Sequence, residues 1–198
     1  MLENFYILSF LVVYFIVVFV VPSVQVKRKT GINPYVFKNT DSAHDFLGKV
    51  SAPITSLIFI VALVNLFYPT GLPYFAPFNW LEISILKYAG FAIIHLALLW
   101  IIVAQVQMSN SWRVGIDHTA QTELKTNGLF SVSRNPVFLG MLITLIGIFL
   151  IMPNAITLLV VFASTLLFHV QVRLEEEYLL KIHGDSYKNY CQKARRWF

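Results

Sequence analysis

Charged residues and cysteines are both scarce in this chain. Only 13% of its 198 residues are charged, about half the share usual in a soluble domain, and Cys191 is the single cysteine. One cysteine excludes a disulfide framework and any metal site built from several cysteines. His44, His118 and His183 show no metal-ligand spacing, so we expect no bound metal.

Several motifs that would identify an enzyme or a processed precursor are also missing. The chain has no phosphate-binding loop, no Gly-x-Gly-x-x-Gly and no Gly-x-Ser-x-Gly, so nucleotide hydrolysis and serine hydrolysis have no support. Its N-terminus lacks the basic start and the small-residue cleavage site of a signal peptide. We therefore interpret the first apolar run as a retained transmembrane helix.

Long apolar runs are what the chain does contain. Hydrophobic residues make up 57% of it, and about 20 apolar residues suffice to cross a bilayer core. Only Pro153 and Asn154 separate the last two runs, which predicts a tight helical hairpin. The sequence thus predicts an all-α polytopic membrane protein with five transmembrane helices and a cytoplasmic C-terminal helical cap. The five runs cover roughly residues 5–21, 50–68, 83–106, 137–152 and 155–172.

The positive charges follow the same segmentation. Fourteen of the fifteen lysines and arginines fall in the first loop, the third loop or the C-terminal tail, and Lys87 is the exception. Cytoplasmic loops are enriched in lysine and arginine, so the basic side is predicted to be cytoplasmic and the N-terminus to be outside. A bacterial inner membrane suits this pattern. A net charge of +5 would suggest nucleic acid in a soluble protein, but here it fits a membrane.

The stretch SVSRNPVFLG, residues 131–140, places polar groups against the start of the fourth apolar run. Pro136 suits the first turn of a helix, and a helix N-terminus offers free N–H groups and partial positive charge. With Arg134 beside it, this end could hold a carboxylate or phosphate. The alternative is a snorkelling arginine that binds lipid phosphate.

A second polar group follows the fifth run. His169, Arg173 and Glu177 are spaced four residues apart, and Glu176 lies beside them, so they share one helix face. The alternative is a solvated face with a simple salt bridge. His95, in the middle of the third run, is interpreted as a contact to another helix.

Two segments in this order resemble the isoprenylcysteine carboxyl methyltransferase family, in its bacterial form. LKTNGLFSVSRNPVFLG, residues 124–140, is similar to the family's Gly-x-Tyr, Arg-His-Pro, aromatic and glycine pattern. EEEYLLKIHGDSYKNYCQKARR, residues 175–196, is similar to its Glu-Glu, Phe-Gly, Tyr-x-x-Tyr and arginine signature. SWRVGID, residues 111–117, also looks like bacterial members. The resemblance covers the chain from about residue 109 onward.

This resemblance implies an S-adenosylmethionine-dependent membrane methyltransferase. Residues 1–108 would supply the first three helices, and residues 109–198 would form the cofactor-binding catalytic half. The two segments would meet under the hairpin and enclose the cofactor, with aromatic faces against its adenine and sulfonium. The implied cofactor-binding residues are Gly128, Phe130, Arg134, Asn135, Pro136, Phe138, Gly140, Glu176, Tyr187 and Tyr190.

The chemistry of methyl transfer then gives candidates for catalysis. Arg173 would orient a carboxylate acceptor by a bidentate contact, whereas an amine acceptor would need a base, for which Glu176 or Glu177 would serve. The family's histidine is Asn135 here, and asparagine cannot titrate, so proton transfer at that position is excluded. Phe130 replaces the family's tyrosine, and His183 replaces an aromatic residue.

The acceptor and its alternatives stay open. The expected partners are a lipophilic or lipidated substrate and membrane lipids, with no nucleic acid, and the oligomeric state is undetermined. A prenylcysteine-type carboxylate and a lipid headgroup, as in phospholipid N-methyltransferases, are both candidate acceptors. A sterol-reductase-like enzyme using NADPH and a non-catalytic membrane protein of the same fold are the rival interpretations.

Overall fold

The computed structural model describes residues 2–31, 33, 35, 41–113, 115 and 123–198. These parts of the chain contain no β-strand. A π-helical turn, Ile16–Val20, joins the first two helices, and a short 3-10 turn, Gly128–Ser131, precedes the fifth. The helices are α1 (Leu2–Phe15), α2 (Val21–Thr30), α3 (Ala43–Phe67), α4 (Ser84–Met108), α5 (Pro136–Ile151) and α6 (Ala155–Lys193).

Four of the helical stretches are long and apolar enough to cross a membrane. They are Glu3–Thr30, α3, α4 and α6, and they make the chain an all-helical integral membrane protein. The fourth predicted span is α5, whose 16 residues extend about 24 Å and so fall short of a bilayer core of about 30 Å. The count of five spans therefore stays a prediction. Residues 152–154 join α5 to α6, and the two helices pack against each other.

The first helix continues past residue 21, where the first apolar run was predicted to end before Pro22. Pro22 lies within a helical stretch that runs on to Thr30. Proline has no N–H, so Pro22 cannot donate to the carbonyl of Val18, four residues before it. Gln105 of α4 donates its Nε2–H to that carbonyl over 2.7 Å. A distant side chain therefore supplies the Val18 carbonyl with a hydrogen bond that proline cannot.

Glycines bring α4 and α5 unusually close together. A Cβ atom on Gly90 would lie 2.7 Å from the backbone oxygen of Gly147, and one on Gly140 would lie 2.4 Å from Ile101. Small residues at helix contacts let backbones approach in membranes. The same two helices are joined by a hydrogen bond of 2.8 Å from the Trp100 indole to the carbonyl of Pro136.

His95 bonds to another helix, as its place in the sequence indicated. Its Nε2 atom pairs with the hydroxyl of Tyr6 on α1, and its Nδ1 atom pairs with the Phe91 carbonyl one turn earlier. The contact ties α1 to the middle of α4. The predicted contact of His95 to another helix is thus confirmed.

The last helix is far longer than a membrane span. Its 39 residues would extend about 58 Å if straight, nearly twice the thickness of a bilayer core. The apolar part ends near Val172, and the polar part from Arg173 onward projects beyond it. Gly184 breaks the helix with φ +53° and ψ −124°, a conformation that glycine adopts readily. This kink redirects residues 185–197 toward the start of α5.

Candidate functional site

The two segments that carry the sequence motifs lie side by side. Ser133 and Arg195 form an isolated parallel bridge, and the Arg134 backbone N–H donates to the Arg195 carbonyl over 2.8 Å. The side-chain amide of Asn135 donates to the Arg196 carbonyl over 3.1 Å. The loop before α5 and the C-terminal tail therefore form one unit held by backbone and side-chain hydrogen bonds.

An ionic bridge fixes α6 to this unit. The Nε and Nη2 atoms of Arg134 donate to one carboxylate oxygen of Glu176 at 3.0 and 2.9 Å. The same two atoms of Arg196 donate to the other oxygen at 3.0 and 2.7 Å. Arg134 also donates through Nη1 to the Ala194 carbonyl at 2.6 Å. A carboxylate has about four acceptor sites, so these arginines occupy all of the acceptor capacity of Glu176.

The electrostatics of the bridge follow from its geometry. Burial raises the pKa of Glu176, but hydrogen bonds from Arg196 and Arg134 outweigh burial and hold this pKa below its ordinary value. The bond to Glu176 raises the pKa of Arg196. Glu176 is therefore a stable carboxylate at neutral pH, flanked by two permanent cations.

Tyr190 and Gln107 position the loop before α5. The Tyr190 hydroxyl donates to the Phe130 carbonyl over 2.6 Å, and burial raises the pKa of Tyr190 to about 12, so the phenol keeps its proton. The Gln107 side chain at the end of α4 accepts from the Leu129 N–H at 2.9 Å. Gly128 has φ +63°, and a Cβ there would lie 2.4 Å from the Gln107 side chain. Only glycine suits this turn.

Tyr187 packs beside Tyr190, and its hydroxyl group is buried. Its side chain is 3% exposed and its ring stacks edge-on against Tyr190, with centroids 6.0 Å apart. Its hydroxyl is buried without a hydrogen-bond partner among the described residues. A buried polar atom without a partner is costly, and a ligand or water at this point would remove that cost. Four further buried atoms of the described residues share this property: Ser164 Oγ, Gln171 Oε1, His183 Nε2 and Trp197 Nε1.

Two other predicted cofactor residues lie further along α5. Phe138 packs against Phe168 with ring centroids 5.1 Å apart, which joins the first turn of α5 to α6. Gly140 lies against Ile101 in the α4–α5 contact. Pro136 is fully buried at the first position of α5, as the sequence indicated.

Arg173 and Glu177 are not part of the bridge. Arg173 is exposed and donates through Nη1 to the His169 carbonyl, 2.7 Å away. Glu177 is exposed, and no ion pair joins it to Arg173 in the part of the chain that the structure describes. The structure thus joins Arg134 to Glu176 and leaves Arg173 and Glu177 on the outer surface of α6.

The sequence did not predict the bond from Arg196 to Glu176 or the contact of Asn135 with the tail. Arg196 was part of the signature that carried the resemblance, but nothing in its spacing indicated a bond to Glu176, twenty residues earlier. Asn135 uses its amide to hold the tail. An asparagine in place of the family's histidine is therefore compatible with an intact fold at this site.

The residues present fit S-adenosylmethionine. The unpartnered Tyr187 hydroxyl is a candidate donor to a carboxylate or to adenine, and the Tyr190 ring packs edge-on beside it. In the described ranges no group of three histidine, cysteine or acidic side chains could hold a metal ion.

Comparison with known proteins shows the family to which the chain belongs. No curated protein matches the chain. The phospholipid methyltransferase family matches residues 85–186, just over half of the chain, from the start of α4 to the polar part of α6. The match includes Arg134 and Glu176 and stops before Tyr187, Tyr190 and Arg196. The chain belongs to the phospholipid methyltransferase family.

Proposed function

We propose that this protein transfers a methyl group from S-adenosylmethionine to a lipophilic acceptor at the membrane surface. One observation carries the proposal: the loop before α5, with Arg134, is joined through Glu176 to a tail cluster that contains a buried, unpartnered Tyr187 hydroxyl. Membership of a methyltransferase family supports the same activity over a reductase or a non-catalytic role. Residues 109–198 are the proposed catalytic half.

The site residues divide into groups that bind and groups that position. Tyr187 and Tyr190, with the N–H groups at the start of α5, are the proposed cofactor contacts, together with Gly128, Phe130 and Phe138. Glu176 is a positioning residue, because its two oxygens already accept four N–H groups. Asn135 positions the tail that carries Arg196. A bound S-adenosylmethionine would supply an electrophilic methyl group to an acceptor held in line with it.

The candidate methyl acceptors are inferred from the polar side chains that lie outside the bridge. The exposed Arg173 stays our candidate to orient a carboxylate acceptor, and Glu177 stays the candidate base for an amine acceptor, because the acceptor sites of Glu176 are filled. The family match favours a phospholipid headgroup amine. The narrower resemblance to isoprenylcysteine carboxyl methyltransferases, which implies a carboxylate acceptor, stays a prediction.

The proposed orientation places this site in the cytoplasm. The last turn of α2 contains Lys27, Arg28 and Lys29, and the C-terminal tail carries further cations. The positive-inside rule therefore gives an outside N-terminus and a cytoplasmic C-terminus. S-adenosylmethionine is water-soluble and is expected on that side. Termini on opposite sides of the membrane require an odd number of crossings, and five crossings with α5 as the fourth meet this requirement. The proposed location is a bacterial inner membrane.

The test is binding of S-adenosylhomocysteine to purified protein by isothermal titration. We expect Tyr187→Phe to weaken binding about two- to twelvefold, the range for one lost hydrogen bond, without changing the unfolding temperature. Tyr74→Phe is the matched control, because Tyr74 is 86% exposed in a loop between α3 and α4. Absence of binding by the folded wild-type protein would refute the proposal.

The acceptor is then sought by mass spectrometry. Lipids that co-purify with the protein are compared before and after addition of S-adenosylmethionine carrying a labelled methyl group. A phospholipid that gains one labelled methyl identifies a headgroup acceptor. Label appearing on a carboxylate as a base-labile ester would favour the isoprenylcysteine-type reaction instead.

A further inference from the structure

A cleft of about 350 Å³ lies away from the Arg134–Glu176 bridge, between the start of α2 and the end of α4. This volume lies at the lower end of the range for ligand sites, about 300–1,000 Å³. The cleft shares no lining residue with the proposed methyl-transfer site. Its aliphatic lining consists of Val17, Val21, Val26, Ile102 and Val106. Its polar lining includes Gln25, Lys29 and Ser109.

The aliphatic side of the cleft opens toward the membrane. Val106 is 72% exposed and Val21 is 40% exposed, although both belong to helical stretches long enough to span a bilayer. Exposed aliphatic side chains on such helices face lipid acyl chains. An acyl chain can therefore enter the cleft sideways from the bilayer and cover these valines.

Unusual backbone geometry borders the cleft on both sides. Val17 belongs to the π-helical turn Ile16–Val20, and Ser109 has φ +51° and ψ −122° where α4 ends. π turns are often found at functional sites, and a positive φ on serine costs free energy that the surrounding structure must offset. The Gln105 bond to the Val18 carbonyl holds the two sides at their present separation.

The polar side of the cleft is basic. Lys29 lines it, and Lys27 and Arg28 precede Lys29 in the last turn of α2, where all three are exposed. Basic side chains at the edge of an apolar layer attract anionic headgroups. We propose that the cleft binds one anionic phospholipid of the surrounding bilayer, with an acyl chain against the valines and its phosphate at Lys29.

Native mass spectrometry of the full chain, released from nanodiscs of phosphatidylglycerol or phosphatidylcholine, tests this proposal. We expect one retained phosphatidylglycerol per chain, favoured about fivefold over phosphatidylcholine, which is the effect of roughly one lysine near an anionic surface. Lys29→Gln removes the preference. Lys27→Gln makes the same change of charge outside the cleft and retains it.

A cleft-filling variant tests the apolar part. Val106→Trp fills the opening from an exposed position, and we expect it to lose both lipids. Val103→Trp is the matched control, because Val103 is also exposed on α4 but does not line the cleft. Equal lipid retention by both tryptophan variants, or equal loss of preference by both glutamine variants, would overturn the proposal. Titration with S-adenosylhomocysteine is scored separately, so failure of the lipid site and failure of the proposed function are distinguishable.

Discussion

Replacing Glu176 by glutamine tests whether the double-arginine bridge holds the C-terminal tail against the loop before α5. Arg134 and Glu176 are nearly buried, with side chains 11% and 12% exposed, and breaking a buried pair costs about 3–5 kcal/mol. Arg196 is 36% exposed, so its ion pair with Glu176 contributes only about 0–1 kcal/mol to the free energy of unfolding. Glutamine keeps one acceptor oxygen but turns its amide N–H groups toward a guanidinium. We therefore expect Glu176→Gln to lower the free energy of unfolding by about 3 kcal/mol, the low end of the range for breaking a buried pair.

The assay is thermal unfolding in detergent, followed by the fluorescence of the four tryptophans, one of which, Trp197, lies in the tail. For a chain of this size about 3 kcal/mol corresponds to a fall of roughly 6–12 °C in the unfolding temperature. Asp185→Asn is the control, because the Lys188–Asp185 pair lies on the same helix but is 63% and 87% exposed. This control should change stability by less than about 0.5 kcal/mol.

A double-mutant cycle separates the bridge from other effects of each substitution. Arg134→Met and Glu176→Gln are measured alone and together, and their coupling energy should exceed about 1 kcal/mol if the two side chains depend on each other. Additive losses, or a Glu176→Gln shift no larger than that of Asp185→Asn, would refute the reasoning. The tail would then be held by its backbone hydrogen bonds instead.

Three further predictions concern pH and helix packing. The pKa of Glu176 is lowered in the folded state, so its carboxylate stabilises the fold above its ordinary pKa of 4.5, and this contribution is lost as the pH falls further. Unfolding temperatures measured from pH 7 to 3 should therefore fall less steeply for Glu176→Gln than for the wild-type protein. Gln105→Leu leaves the Val18 carbonyl without its donor and should cost about 1–3 kcal/mol, and an unchanged unfolding temperature would contradict this. Gly140→Val should separate α4 from α5 at Ile101 and lower the unfolding temperature by several degrees, whereas Ile146→Val, on an exposed position of α5, should not.

The pairing of the two motifs was predictable because both had recognisable residues. Arg134 and Glu176 were expected on opposite sides of one site, and the structure joins them directly. What could not be predicted was that Arg196 would fill the second oxygen of Glu176. Twenty residues and the Gly184 kink separate those two side chains, and no periodicity in the sequence encodes the direction of the chain after a kink.

The helices were predictable to different degrees. The end of the second apolar run before Pro69 agrees with the structure, because Phe67 ends α3 there. The predicted end of the first run was wrong, because the helical stretch continues through Pro22 to Thr30. The donor to the Val18 carbonyl is Gln105, which is 87 residues away in sequence, so only tertiary structure reveals it. The catalytic assignments of Arg173 and Glu177 stay predictions.

The bond between Gln105 and Val18 also has a consequence for how the protein is made. A ribosome releases the first apolar helix into the membrane well before α4 exists, so at that stage the Val18 carbonyl lacks the donor that α4 later provides. The missing donor costs the same roughly 1–3 kcal/mol as in Gln105→Leu, so the first helix is less stable alone in lipid than beside α4. Arrival of α4 relieves this cost and gives the first helix a defined partner. The proline and the glutamine together thus make part of the stability of the N-terminal helix depend on the presence of α4.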